Sequence, residues 1–116
     1  MRKPFKKSLK DVPIENAHGG SGRRQLILSE KDAISENLRG MTKGFLSSGE
    51  VFDWHVHENV DEFFLVLKGK GSVEFEKGQE ISYEPGDIVY LPSNLKHKII
   101  NTGKEENEFF FVRLDQ

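Results

Sequence analysis

The sequence predicts an all-β domain, an antiparallel sandwich or barrel, on three observations. From Met41 onward, short segments of alternating apolar and polar residues recur, separated by Gly, Pro, Asn or Asp. That stretch holds no convincing amphipathic helix. The chain has 116 residues and no cysteine, so it forms one domain held by its own core rather than by disulfides.

The elements follow in order. Residues 1–21 read as a partly irregular N-terminal arm that runs into the turn-rich His18-Gly19-Gly20-Ser21-Gly22, and residues 22–116 as the barrel domain. The arm crowds Arg2, Lys3, Lys6, Lys7 and Lys10 together, which reads as a frayed, solvated terminus. Gln25-Leu26-Ile27-Leu28 is a short strand candidate. Residues 30–40 are polar and hold Gly40, so they read as loop with at most one helical turn. Ser72-Val73-Glu74-Phe75-Glu76 alternates as a strand with one buried face. Lys77-Gly78-Gln79 is a hairpin turn, and Glu80-Ile81-Ser82-Tyr83 alternates again. Glu84-Pro85-Gly86-Asp87 is a strong turn signal. Ile88 to Leu91 is a strand stopped by Pro92. Lys96-His97-Lys98-Ile99 alternates, Thr102-Gly103-Lys104 turns, and Phe109 to Leu114 is the last strand.

Composition excludes several functions. Lys and Arg total 17 against 19 Asp and Glu, mixed along most of the chain, which gives no general pull toward nucleic acid or an anionic membrane. The longest apolar run, Phe63 to Leu67, is far too short to span a bilayer. No apolar stretch follows the basic N-terminus, so a soluble cytoplasmic protein is expected. Without cysteine there is no zinc ribbon, thiolate nucleophile or iron–sulfur cluster, and any metal must be held by nitrogen and oxygen.

Three of the four histidines fall in a pattern. His55 and His57 are two apart, so on a strand they share a face. Glu58 to Asp61 form a polar turn, and a returning strand brings Glu62 back beside the pair. His97 lies between Lys96 and Lys98; if the lysines face water, His97 faces the interior. Two or three histidines with one carboxylate suit iron, manganese, nickel, cobalt, copper or zinc. The imidazoles must be neutral to bind, so affinity is expected to fall below about pH 6.5. The alternative is hydrogen-bonded core histidines. It needs three coincidences of spacing and leaves an ionised Glu62 without a partner in the interior. Metal binding is preferred. His18 stands apart and carries no such reading. Strand alternation then carries Asp53, Phe64, Val66 and Ile99 to the metal-bearing face as pocket-lining residues. Tyr83 and Tyr90 are candidate hydroxyl donors to a substrate.

These residues resemble the cupin superfamily. Its first motif, Gly-x5-His-x-His-x4-Glu-x6-Gly, is met by Gly49, His55, His57, Glu62 and Gly69. Its second, Gly-x5-Pro-x-Gly-x2-His-x3-Asn, is met by Gly86, Pro92, His97 and Asn101, with Asn94 in place of the second glycine. Asparagine tolerates positive φ, so the turn survives. The resemblance spans residues 49–101. It implies a double-stranded β-helix, or jelly-roll barrel, completed by strands within 22–48 and 105–115. It implies one divalent metal ion (iron, manganese, nickel or zinc) on His55, His57, Glu62 and His97. It allows dioxygenase, isomerase or cyclase, and lyase or decarboxylase chemistry on a small organic substrate, with Glu62 conjectured to detach as a base. A metal- or ligand-binding sensor barrel without turnover is the alternative. The resemblance also implies a homodimer, which the apolar Phe109-Phe110-Phe111-Val112 fits because alternate residues cannot all face one core.

Overall fold

The computed structural model describes residues 3–32 and 34–116, so Arg2 of the basic cluster lies outside the described residues. Alternation in the sequence becomes ten strands among those residues. They are β1 (Glu15–Asn16), β2 (Arg23–Ser29), β3 (Leu38–Leu46), β4 (Val51–His55) and β5 (Val60–Lys68). Then come β6 (Gly71–Phe75), β7 (Glu80–Tyr83), β8 (Ile88–Leu91), β9 (His97–Ile100) and β10 (Asn107–Asp115). One sheet has the order β1-β2-β3-β10-β5-β8, the other β4-β9-β6-β7. Every pairing is antiparallel. The two sheets are the halves of a jelly-roll barrel, as expected. Residues 30–40 hold one short 3₁₀ turn, Glu30–Asp32, before β3 begins.

The core follows from period two. On the inner face of the larger sheet, register sets residues in rows. Gly44, Phe109 and Val66 form one, Thr42, Phe111 and Phe64 the next, and Gly40, Arg113 and Glu62 the third. Val73 and Ile99 face them from the smaller sheet, and all these apolar side chains are buried. Phe64 packs edge-on against Phe109 and Tyr83, with ring centroids 5.3 and 5.8 Å away.

Motif residues outside the cluster have structural work. Asn101 is buried; its amide donates to the carbonyls of Leu46 (2.9 Å) and Glu105 (2.8 Å), and its Oδ1 accepts from the Gly103 amide. Gly69 has φ 83°, and a side chain there would collide with the Asn107 amide. That amide belongs to a side chain whose Oδ1 accepts the Tyr83 hydroxyl at 2.6 Å.

The N-terminal arm is more ordered than its composition suggests. Lys7 pairs with Asp32 (2.7 Å) and donates to the Ile27 carbonyl, so the basic cluster is not wholly frayed. β1 pairs with β2, and Gly20 bridges to Phe52 on β4. The arm therefore stitches the edge of one sheet to the edge of the other. No helix among the described residues is long and apolar enough to cross a membrane.

Candidate metal centre

His55 ends β4 and sits opposite His97, which opens β9. The β4 register shifts between Phe52 and His55. A bulge of this kind re-aims a side chain at a barrel rim. His57 follows in the turn, and Glu62 enters from β5 in the third inner row. Asn94 pins this turn. It has φ 65°, its amide donates to the His57 carbonyl (2.8 Å), and its Oδ1 accepts from the Asn59 amide (3.2 Å). The asparagine that departs from the family pattern thus ties the two motif loops together.

The side chains converge. His55 Nε2 and His57 Nε2 are 3.1 Å apart. Glu62 Oε1 lies 3.7 Å from His57 Nε2 and 3.8 Å from His97 Nε2. Glu62 and His97 are buried, at 5% exposure each. His55 is an exposed residue, yet its ring packs against those of His57 (4.3 Å) and His97 (6.1 Å). With His97 Nδ1 donating to the Leu95 carbonyl at 3.4 Å, its Nε2 presents a lone pair to the cluster.

Donors around a metal with bonds of about 2.1 Å stand about 3 Å apart when adjacent. The histidine pair meets this; the two contacts to Glu62 are somewhat longer. Among the described residues, no three such side chains are already closed around one point as metal ligands. The chemistry of the donor set nevertheless fits a divalent ion: three imidazole nitrogens and one buried carboxylate oxygen, none needing to cross the barrel to meet.

Sequence reading missed Arg113. Its Nη1 donates to Glu62 Oε2 (3.2 Å) and to Thr42 Oγ1 (3.3 Å), which fixes one carboxylate oxygen and leaves Oε1 toward the histidines. The guanidinium lies over Gly40, where a Cβ would come within 2.8 Å of Nη2. Parity was the available signal, because Arg113 shares its face with Phe109 and Phe111.

Burial sets the proton affinities. It lowers His57 to about 4, helped by His55, Arg113 and His97, and it lowers His97 to about 4 against the Leu95 carbonyl. His55 is lowered by burial and by Arg113. Burial raises Glu62, opposed by the Arg113 charge and hydrogen bond. Below pH 6.5 the unfolded chain binds protons that the folded imidazoles refuse. Stability from His57 and His97 is therefore complete above pH 6.5 and is lost as pH falls toward 4, with Glu62 offsetting part of the loss. Imidazole NMR titration of the metal-free protein should place both rings near pH 4. Midpoints near 6.5 would mean that the rings are solvated.

A cavity of about 280 Å³ opens from this cluster. Asp53 and Ile99 line it, with Phe52, Phe111, Thr42 and Gly44. Phe64 and Val66 do not: both face inward as parity requires, but they sit deeper between the sheets, at 0% and 1% exposure, as packed core. Neither tyrosine reaches the cavity lining. The Tyr83 hydroxyl donates to Asn107 Oδ1 and the Ile100 carbonyl, and that of Tyr90, an exposed residue, to Asp61 (2.9 Å). The lining also includes His18, Gly19 and Arg24, residues of the arm and β2 that lie outside both motifs.

The Cupin domain family matches residues 45–113, which contain the whole cluster. An oxalate-binding protein of Thermotoga maritima is 31% identical over 100 residues, covering 85% of this chain and 82% of that protein. A glucose-6-phosphate isomerase of Thermococcus litoralis is 38% identical over 66 residues, or 52% of this chain but only 34% of the enzyme. Among solved structures, a predicted oxalate decarboxylase from Thermotoga maritima superposes with a TM-score of 0.85 at 24% identity, covering 97% of this chain and all of that one. The matched family model and the barrel agree: this chain belongs to the cupin family.

Proposed function

We propose that this chain is a cytoplasmic cupin enzyme that holds one divalent metal ion on His55, His57, Glu62 and His97 and acts on a small organic substrate. The observation that carries the reading is the convergence of three imidazoles and one buried carboxylate at the end of an open cavity. The bound ion would supply Lewis-acid or oxygen-activating chemistry of dioxygenase, isomerase or lyase type. The chain's own residues do the rest. Lowered proton affinities keep the imidazoles neutral and ready to coordinate. Arg113 holds Glu62 Oε2 and so orients Oε1. Phe52, Phe111 and Ile99 give the substrate space an apolar wall.

A second reading, a ligand-binding barrel without turnover, is favoured by one observation: a relative matched along most of its length is named for binding oxalate. Incubating protein loaded with ferrous iron, manganese, nickel or zinc with a panel of small carboxylic acids separates the two. An enzyme forms product or consumes oxygen with one metal–acid pair. A binding barrel shows only a raised melting temperature.

The reading includes a homodimer. In the run Phe109 to Val112, Phe109 and Phe111 fill the core, whereas Phe110 and Val112 face outward beside Leu65 and Phe63. Phe63 and Leu65 in turn face Tyr90 and Ile88 on the edge strand β8. Ile88 is 69% and Tyr90 56% exposed. With Leu67, the exposed apolar area is on the order of 500 Å² at side-chain sizes of about 200 Å². Two copies packed on this face bury about 1,000 Å² before their rims count, where specific interfaces begin. The charges on the same face are already engaged within the chain, Asp61 by the Tyr90 hydroxyl and Lys43 by Glu108. Ile88→Lys is therefore expected to shift the chain from dimer to monomer in light scattering; an unchanged mass would place the contact elsewhere.

A further inference from the structure

The cavity has a second end. Register places Arg24 on β2 opposite Gly44, in the row two steps along the strands from Gly40, Arg113 and Glu62. Four residues of strand separate these rows by about 13 Å of backbone. Arg24 and the histidine cluster nevertheless line the same cavity.

Between them lies an apolar waist. Gly44 has no side chain, and a Cβ there would stand 2.7 Å from the Phe111 ring and 3.2 Å from the Phe52 ring. The two rings therefore meet edge to face over it, with centroids 5.8 Å apart. Ile99 lines the same cavity from the opposite sheet.

The two arginines of the lining differ in commitment. Arg113 spends Nη1 on Glu62 and Thr42. Arg24 gives Nε to Glu15 of the arm at 2.9 Å, and its two Nη groups have no partner among the described residues. Asp53, the other carboxylate of the lining, has Oδ1 engaged by the Trp54 amide.

We propose that Arg24 receives the anionic terminus of an elongated organic acid whose other end lies at the histidine–glutamate cluster and whose apolar middle crosses Phe52 and Phe111. This rests on the metal-centre reading for the near end only. It sets the ligand class apart from a compact diacid, which would leave the apolar waist and Arg24 unused. A guanidinium with two free donors pairs with a carboxylate in bidentate fashion.

A matched pair of acids tests it. 2-Oxoadipate and 2-oxohexanoate share a six-carbon chain and a chelating end; only the first has a terminal carboxylate. By calorimetry, the wild type should bind 2-oxoadipate about tenfold more tightly, as one charge-assisted bond allows. Arg24→Gln should erase the difference while metal uptake and 2-oxohexanoate affinity stay unchanged. The Arg24–Glu15 pair is partly exposed and contributes little to folding, so the variant is expected to fold. Glu15→Gln frees Arg24 and should widen the preference. Equal binding of the two acids by wild type, or an undiminished preference in Arg24→Gln, overturns the assignment. Absence of metal uptake by wild type sinks the metal reading alone. The same comparison on metal-free protein then still decides the role of Arg24.

Discussion

Arg113→Met is expected to destabilise the metal-free protein at pH 7 by about 3 kcal/mol, because it leaves a buried carboxylate without its counter-charge. Glu62 lies at 5% exposure, and Arg113 is the cation that bonds it. Three comparisons separate this cause from lost packing. The double variant Arg113→Met/Glu62→Gln should be more stable than the single one, since the stranded charge is gone. The cost should shrink as pH falls, because burial already raises the Glu62 carboxyl and removal of Arg113 raises it further. Saturation with a divalent ion should restore most of the loss, because the ion replaces the guanidinium as counter-charge. Equal losses in the single and double variants would show that Arg113 acts through packing on Gly40 and Thr42 instead.

Phe64→Ala should cost about 3–5 kcal/mol in denaturant unfolding of the Ile88→Lys monomer, against a much smaller loss for Phe63→Ala in the same background. The neighbours point to opposite faces. Phe64 is fully buried against Tyr83, Phe109 and Phe111, while Phe63 stands on the outer face beside Tyr90. A loss of that size consumes much of a domain's total stability of about 5–15 kcal/mol. The milder Phe64→Leu keeps the fold and tests the corrected role: stability drops, but ligand affinity does not, because Phe64 lies outside the cavity lining. A large affinity change in Phe64→Leu would return it to the pocket.

The fate of Phe64 illustrates what the sequence can and cannot tell. Alternation gives the face of a strand and says nothing of the strand's place across the sheet. Glu62, Phe64 and Val66 all point inward, but the cavity runs from Glu62 past Thr42, Gly44 and Arg24 on β3 and β2, and leaves Phe64 and Val66 on β5 as core. The grouping of His55, His57 and Glu62 was legible because short local spacing sets it, and His97, four strands later on β9, was legible from its flanking lysines and the second motif. Arg113 and Arg24 were not, because each reaches the cavity through strand pairing across a long sequence separation. The contacts of the arm were hidden for the same reason. Its irregular composition says nothing of Gly20 meeting Phe52, or of Lys7 reaching Asp32. Asn94 looked like a tolerated departure from a glycine turn, and its side chain turns out to brace the turn that carries His57.

The central claim is that His55, His57, Glu62 and His97 hold one divalent ion. Elemental analysis tests it most directly, on protein purified without added metal and then titrated with metal after chelation. His57→Ala and His97→Ala are measured beside the wild type. About one metal per wild-type chain, with occupancy lost in both variants while their folded spectra persist, is the result predicted. A wild type that neither carries nor takes up metal, or variants that keep full occupancy, would contradict it.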